Sequence, residues 1–263
     1  MFHRRVRRWI SQPCRGGPSL GPSPVLLLLA CLFIAGCARS AAPSTAHLGV
    51  RALDATPTAS PTAPPLSTAP LTVAAIGASD AFGIGTDQPH TDNWPAVLAG
   101  RLSSAAHLVN LGIPGATVAL ARRDEVPVAL SAQPDVIAIF LGINDLDQGV
   151  TLAAFEQQLA ALVQALRGST LARIYVANLP DLTLLPYFAK DDPLTLEEQV
   201  SAWNAAIARI CTAQGAALVD LHAAWSELAN HPNYVSADGL HPSTAGAHRI
   251  AAAFVAAIEG GAP

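Results

Sequence analysis

The chain has 263 residues, 51% of them hydrophobic and 13% charged, enough for one domain with a substantial core. Five of its 15 Lys and Arg residues (Arg4, Arg5, Arg7, Arg8 and Arg15) lie in an N-terminal segment without acids, which leaves 10 basic against 19 acidic residues, a balance of −9. With Lys190 as the single lysine, no basic patch remains to hold a nucleic acid.

The arginines are followed by the apolar run VLLLLACLFIA, Val25 to Ala35. A positive flank, a short apolar run and small residues behind it describe a secretory signal. The run is shorter than the roughly 20 residues that a membrane span needs. Ile34-Ala35-Gly36-Cys37 resembles the bacterial lipobox. That resemblance implies cleavage before Cys37, acylation of Cys37, and an exported lipoprotein anchored to a bacterial membrane or envelope by its N-terminal lipid. Residues 1–37 are then the signal peptide. Residues 38–70, rich in Ala, Thr, Ser and Pro, read as a disordered tether. Cys14 and Cys31 belong to the signal, so Cys211 alone enters the folded part, where it can form neither an internal disulfide nor a zinc site. It lies in the helical apolar pattern AAIARICTAQG and reads as a buried small hydrophobe.

From residue 71 to 263 short apolar runs alternate with helical stretches. The expected strands are Leu71–Gly77, His107–Gly112, Pro134–Gly142, Ala172–Pro180 and Ala216–Leu221. Helices are expected over Asn93–Ala105 (Asn93 as N-cap, Pro95 in the first turn), Val118–Leu130, Thr151–Gly168, Leu196–Gln214 and Ser243–Ile258. Such alternation, with near-continuous apolar strands, predicts an α/β fold: a doubly wound parallel sheet of five strands covered on both faces. Ligands of such a sheet sit outside the C-terminal strand ends.

The residues just past each strand are therefore informative. The first strand leads into GASDAFGIG, with Ser79; the second into NLGIPGAT, with Gly115; the third into LGINDL, with Asn144; and the fifth, after a short segment, into SADGLHPSTAG, with Asp238 and His241. These are the parts that acyl transfer needs. A Ser hydroxyl attacks once a base takes its proton, and an imidazole titrates near the working pH. An Asp orients the imidazole and stabilises its charged form. The amides of Ser79 and Gly115 and the Asn144 side chain can receive an oxyanion.

The four segments resemble, in order, the four blocks of the SGNH (GDSL) serine hydrolases, over about Leu71 to Ile258. The resemblance implies a three-layer α/β/α sandwich with a flavodoxin-like sheet, a catalytic triad of Ser79, Asp238 and His241, and an oxyanion hole of Ser79, Gly115 and Asn144. It further implies no metal or organic cofactor. The function expected is hydrolysis of carboxylic esters (esterase, lipase or lysophospholipase-like) through an acyl-enzyme on Ser79. The alternatives are a carbohydrate O-deacetylase or O-acetyltransferase and, from another class, a non-catalytic binding protein. The partners expected are a small-molecule, lipid or glycan ester and the membrane, with the chain as a monomer. The family's first block usually reads G-D-S-[LI]; here Ala78 replaces the acid and Asp80 the apolar residue. A carboxylate beside the nucleophile can tune substrate choice or pH dependence, although Asp80 and Asp87 otherwise read as solvated loop acids. Asp145 reads as a cap of the following segment, and Asp220–His222 as a rival pair without a motif. The loops Phe82–Asn93 and Asp181–Leu194 are expected to set the depth of the acyl pocket, with Tyr187 and Phe188 either lining it or packing at the surface.

Overall fold

The computed structural model describes residues 66–224 and 226–260. The expected signal peptide, the lipid site Cys37 and the tether up to residue 65 lie outside the described residues.

The sheet has five parallel strands in the order β2-β1-β3-β4-β5, where β1 is Leu71–Gly77, β2 Ala106–Asn110, β3 Val136–Phe140, β4 Arg173–Ala177 and β5 Ala217–Val219. All five residues of β3 are buried, as a strand covered on both faces must be; β2, at the sheet edge, is only partly covered. The helices are α1 (Ser79–Phe82), α2 (Trp94–Leu102), α3 (Val118–Asp124), α4 (Val126–Ser131), α5 (Ile143–Asp147), α6 (Leu152–Arg167), α7 (Pro193–Gln214), α8 (Leu221–Ala224) and α9 (Thr244–Glu259). Helices α2 and α9 pack together on one face, while α3, α4, α6 and α7 cover the other. This is the expected three-layer sandwich.

Local chemistry accounts for most boundaries. Thr151 accepts the amide of Ala154 and starts α6, whose buried residues Phe155, Leu159, Leu162, Val163 and Leu166 fall on one helical face. Asn93 caps α2 as expected. Helix α7 begins three residues before the expected Leu196, because Asp192 caps it and Pro193 occupies the first turn. The single helix expected over Val118–Leu130 is two, broken at Glu125; Pro127 has no N–H to continue the ladder. Helices α1, α5 and α8 are too short to show a period in the sequence. Residues 66–70, expected in the tether, lie against the end of α2: Leu66 N donates to Arg101 O, and Ser67 O accepts from Ser104 N.

In this order the chain leaves β1 toward one sheet edge, for β2, and returns past β1 to place β3 on its other side. The switch point of such a sheet lies between β1 and β3. Gly77 and Phe140 are register partners at the adjoining ends of those strands. The segments carrying Ser79 and Asn144 therefore leave the sheet side by side.

Helix α9 carries no expected site residue but supports the loop that does. Its Gly246 lies so close to the turn at Tyr234 that an added Cβ would stand 2.1 Å from Tyr234 O and 3.1 Å from Pro242 Cβ. Gly→Ala inside a helix ordinarily stabilises by about 0.5–1 kcal/mol. Here the sign reverses: Gly246→Ala is expected to destabilise the protein by about 1–3 kcal/mol through overpacking, seen as a lower urea midpoint. An unchanged or higher midpoint would contradict this packing.

Candidate active site

The turn after β1 leaves no room for a side chain at Gly77, where a Cβ would stand 2.7 Å from Ala81 Cβ. Gly77 O accepts the amide of Ile113, and Gly77 N donates to Glu125 Oε2 at 2.9 Å. These bonds fix the turn from the neighbouring loop and from the break between α3 and α4. Ser79 follows as the first residue of α1.

The segment from Ser236 to Pro242 folds back on itself. Ser236 N donates to His241 O, Gly239 N donates to Ser236 O, and Val235 and Pro242 form an antiparallel bridge. Gly239 has φ +78°, and its Cβ would stand 2.9 Å from Pro186 Cβ. A side chain is excluded there by conformation and by space alike. In this turn Asp238 Oδ1 accepts the amides of Leu240 and His241, while Oδ2 lies 2.7 Å from His241 Nδ1. Partial burial pushes the Asp238 carboxyl up. The two amides and the His241 ring outweigh it and hold the group well below the usual carboxylate range. An ionised carboxylate can only accept, so Nδ1 carries the hydrogen of that bond. In the neutral ring Nε2 is then the acceptor, and it lies 2.8 Å from Ser79 Oγ, whose hydroxyl donates to it. Ser79, His241 and Asp238 thus stand in one unbroken relay.

Two further expected residues lie on adjoining turns. Gly115 has φ +80° and is exposed, and its amide donates to no group among the described residues. Asn144, at the start of α5, donates one side-chain N–H to Ala116 O at 3.0 Å, which ties it to the Gly115 turn and leaves its second N–H available. Asp145 does act as a cap, but of a helix earlier in the chain. Its carboxylate accepts Val118 N at the start of α3. Burial pushes Asp145 up to about 6, against the Val118 bond.

An open pocket adjoins Ser79, Asn144 and His241. Its remaining wall is largely apolar, including Phe140, Ile143, Leu185, Leu221 and Ile250. Asp80 is part of this wall, which corrects the reading of a solvated loop acid. It sits on α1, partly buried, and Trp94 Nε1 donates to its Oδ2 at 2.8 Å. Burial pushes Asp80 up to about 6, while the Trp94 bond and the nearby His241 act the other way. Of the two loops expected to set pocket depth, Asp181–Leu194 supplies Leu185, whereas Phe82–Asn93 supplies no lining residue. The latter presses on the base instead: a Cβ on Gly85 would stand 2.9 Å from His241 Cβ.

Other expectations resolve simply. Asp220 accepts from Asn178 Nδ2 and Ala223 N, and His222 N donates to Asn178 Oδ1, so this pair does not form a second relay. Phe188 is buried and Tyr187 exposed, with its hydroxyl donating to Asp147; neither lines the pocket. Cys211 is buried, and burial pushes its thiol up to about 11.

Glu125 is a residue that sequence reasoning misses, although an acid beside a proline in an apolar stretch is a usable signal. It is 1% exposed, and its Oε1 has no partner among the described residues. Burial pushes it up to about 8, against the Gly77 bond and with help from Asp80. A carboxyl raised above its unfolded value stabilises the fold most below pH 4.5, and that contribution is lost as pH rises through about 8. Asp80 and Asp145 act in the same direction, but their contributions are lost by about pH 6. Glu125→Gln keeps an acceptor for Gly77 N and never ionises. Its urea-unfolding stability should therefore fall less than that of the wild type between pH 6 and 8. Parallel curves over that interval would remove Glu125 as the cause.

Comparison with known proteins agrees with the fold. An acetylxylan esterase from Xylanibacter ruminicola is 27% identical over 214 residues, which is 71% of this chain but 43% of the relative. The chain thus spans less than half the length of that relative. Among solved structures, an acetylxylan esterase from Geobacillus stearothermophilus has a TM-score of 0.60 at 22% identity, covering 72% of this chain and 94% of its own. An α/β hydrolase enzyme from the metagenome of Lake Arreo, Spain, also scores 0.60 at 22% identity, covering 73% of this chain and 96% of its own. At such identities these structures speak for the fold. The model of the GDSL-like lipase/acylhydrolase family matches residues 75–249, from within β1 to within α9. The chain belongs to that family.

Proposed function

We propose that this chain hydrolyses carboxylic esters, and that it does so through an acyl-enzyme on Ser79. The observation that carries this reading is the relay of two short hydrogen bonds, 2.8 Å from Ser79 Oγ to His241 Nε2 and 2.7 Å from His241 Nδ1 to Asp238 Oδ2. His241 Nε2 takes the hydroxyl proton as Ser79 Oγ attacks the ester carbonyl. Asp238, held ionised, keeps the ring in the required tautomer and stabilises the imidazolium. The amides of Ser79 and Gly115 and the second N–H of Asn144 receive the oxyanion. His241 then returns its proton to the leaving alcohol. A water, deprotonated by the same nitrogen, releases the acid and restores Ser79. Since the acid, base and nucleophile are all supplied by side chains, this scheme calls on no metal or organic cofactor.

Acetylated glycans are the substrate class we favour within this reading, ahead of lipid esters. The acetylxylan esterase relative supports it, although that protein is much longer than this chain. A deacetylase and an O-acetyltransferase would share the acyl-enzyme and differ in the acceptor that resolves it.

The test is turnover of p-nitrophenyl esters by the full-length protein. Ser79→Ala should abolish it with the circular dichroism spectrum intact, and Asn144→Ala should lower kcat by about 10²–10³. Normal turnover by Ser79→Ala would overturn the assignment.

We further infer export and lipid anchoring at Cys37, supported by the arginine flank, the apolar run and the Ile34–Cys37 motif. Expressed in a bacterium with lipoprotein processing, the protein should carry a diacylated N-terminal residue by mass spectrometry and fractionate with membranes. Cys37→Ser should lose both properties. An unmodified residue 37 in the wild type would refute the anchor.

A further inference from the structure

The pocket holds a feature that the acyl-enzyme scheme does not use. Its lining includes Ser79, Asn144 and His241, so an ester attacked by Ser79 lies against it, with its acyl group or its alcohol inside. Phe140, Ile143, Leu185, Leu221 and Ile250 make its wall largely apolar. Asp80 is the one carboxylate among the lining residues.

We propose that Asp80 determines acyl specificity: its carboxylate, fixed in the pocket wall, confines the enzyme to esters of short acyl groups such as acetyl and excludes long hydrocarbon chains. This rests on Ser79 being the nucleophile and on the acyl group of the ester occupying this pocket. Two observations carry it. Asp80 follows Ser79 directly on α1 and lines the same pocket. The carboxylate cannot swing away, because Oδ2 accepts from Trp94 Nε1 at 2.8 Å and Trp94 is itself fully buried, stacked on Phe254 at 4.9 Å.

The physical cause is desolvation. A long chain packed along this wall would strip water from a charged oxygen without offering it a hydrogen bond. A two-carbon acyl group has no methylene chain to lay against it. The titratable groups coupled electrostatically to Asp80 are His241, from the loop before α9, and Glu125, from the break between α3 and α4. With its pKa near 6, Asp80 is mostly ionised at pH 8.

The experiment compares kcat/KM of the full-length protein for p-nitrophenyl octanoate and p-nitrophenyl acetate at pH 8. Asp80→Asn removes the charge and keeps an acceptor for Trp94; Asp80→Leu makes the wall apolar. The octanoate-to-acetate ratio is expected to rise by about tenfold or more in Asp80→Asn and further in Asp80→Leu. Should the leucine variant fail to fold, the asparagine variant carries the test. An unchanged ratio in folded variants, with Ser79→Ala inactive on both esters, would overturn the proposal and leave Ser79 as the nucleophile. Turnover of both esters by Ser79→Ala would instead remove the nucleophile, and the proposal with it.

Discussion

The strand order β2-β1-β3-β4-β5 makes the chain reverse its direction of travel across the sheet, and the arrangement of the site results from that reversal. The connections leaving β1 and β3 part at this point. Ser79 stands at one side of the gap and Asn144 at the other. The Gly115 turn is drawn in from β2, since Ile113 N donates to Gly77 O and Asn144 holds Ala116 O. His241 and Asp238 arrive last, on the loop that α9 and the turn at Tyr234 support. One imidazole, bonded at both nitrogens, ties that loop to a serine 162 residues earlier in the chain.

Four carboxyl groups around this gap are held in different electrostatic states. Asp238 collects two backbone amides and an imidazole, and stays charged despite partial burial. Asp145 and Glu125 each receive backbone amide donation from one residue and are buried, so their pKa values are raised. Asp80 has an indole donor and lies between these extremes of exposure. What separates them is the number of donors supplied to each against the water removed from it. Asp145 and Glu125 bond the segments next to Gly115 and Ser79; Asp238 bonds the His241 ring; Asp80 lines the pocket.

Much of this is legible in the residues. The five strands and the helices with clear caps, such as Asn93 on α2 and Thr151 on α6, can be read from periodicity and end signals, which act over one or two turns of chain. Ser79, Asp238 and His241 are legible because their blocks recur in order after strands, and the geometry brings all three together. The break at Glu125 is less legible, since Pro127 is tolerated in the first turn of a helix as readily as it ends one. Asp80 reads as solvated in the sequence, because nothing local shows that Trp94, fourteen residues on, turns its indole N–H toward it.

The sequence by itself therefore determined the alternation of elements, the parallel sheet it implies, and the residue types available at each strand end. These depend on short-range patterns: hydrophobic spacing, capping side chains, and glycines where a turn demands them. Only the tertiary structure decided which acids are buried, which loop walls the pocket and which presses on His241, and where Asp145 delivers its cap. Those outcomes depend on contacts between segments far apart in the chain, whose burial and donor count no local pattern encodes.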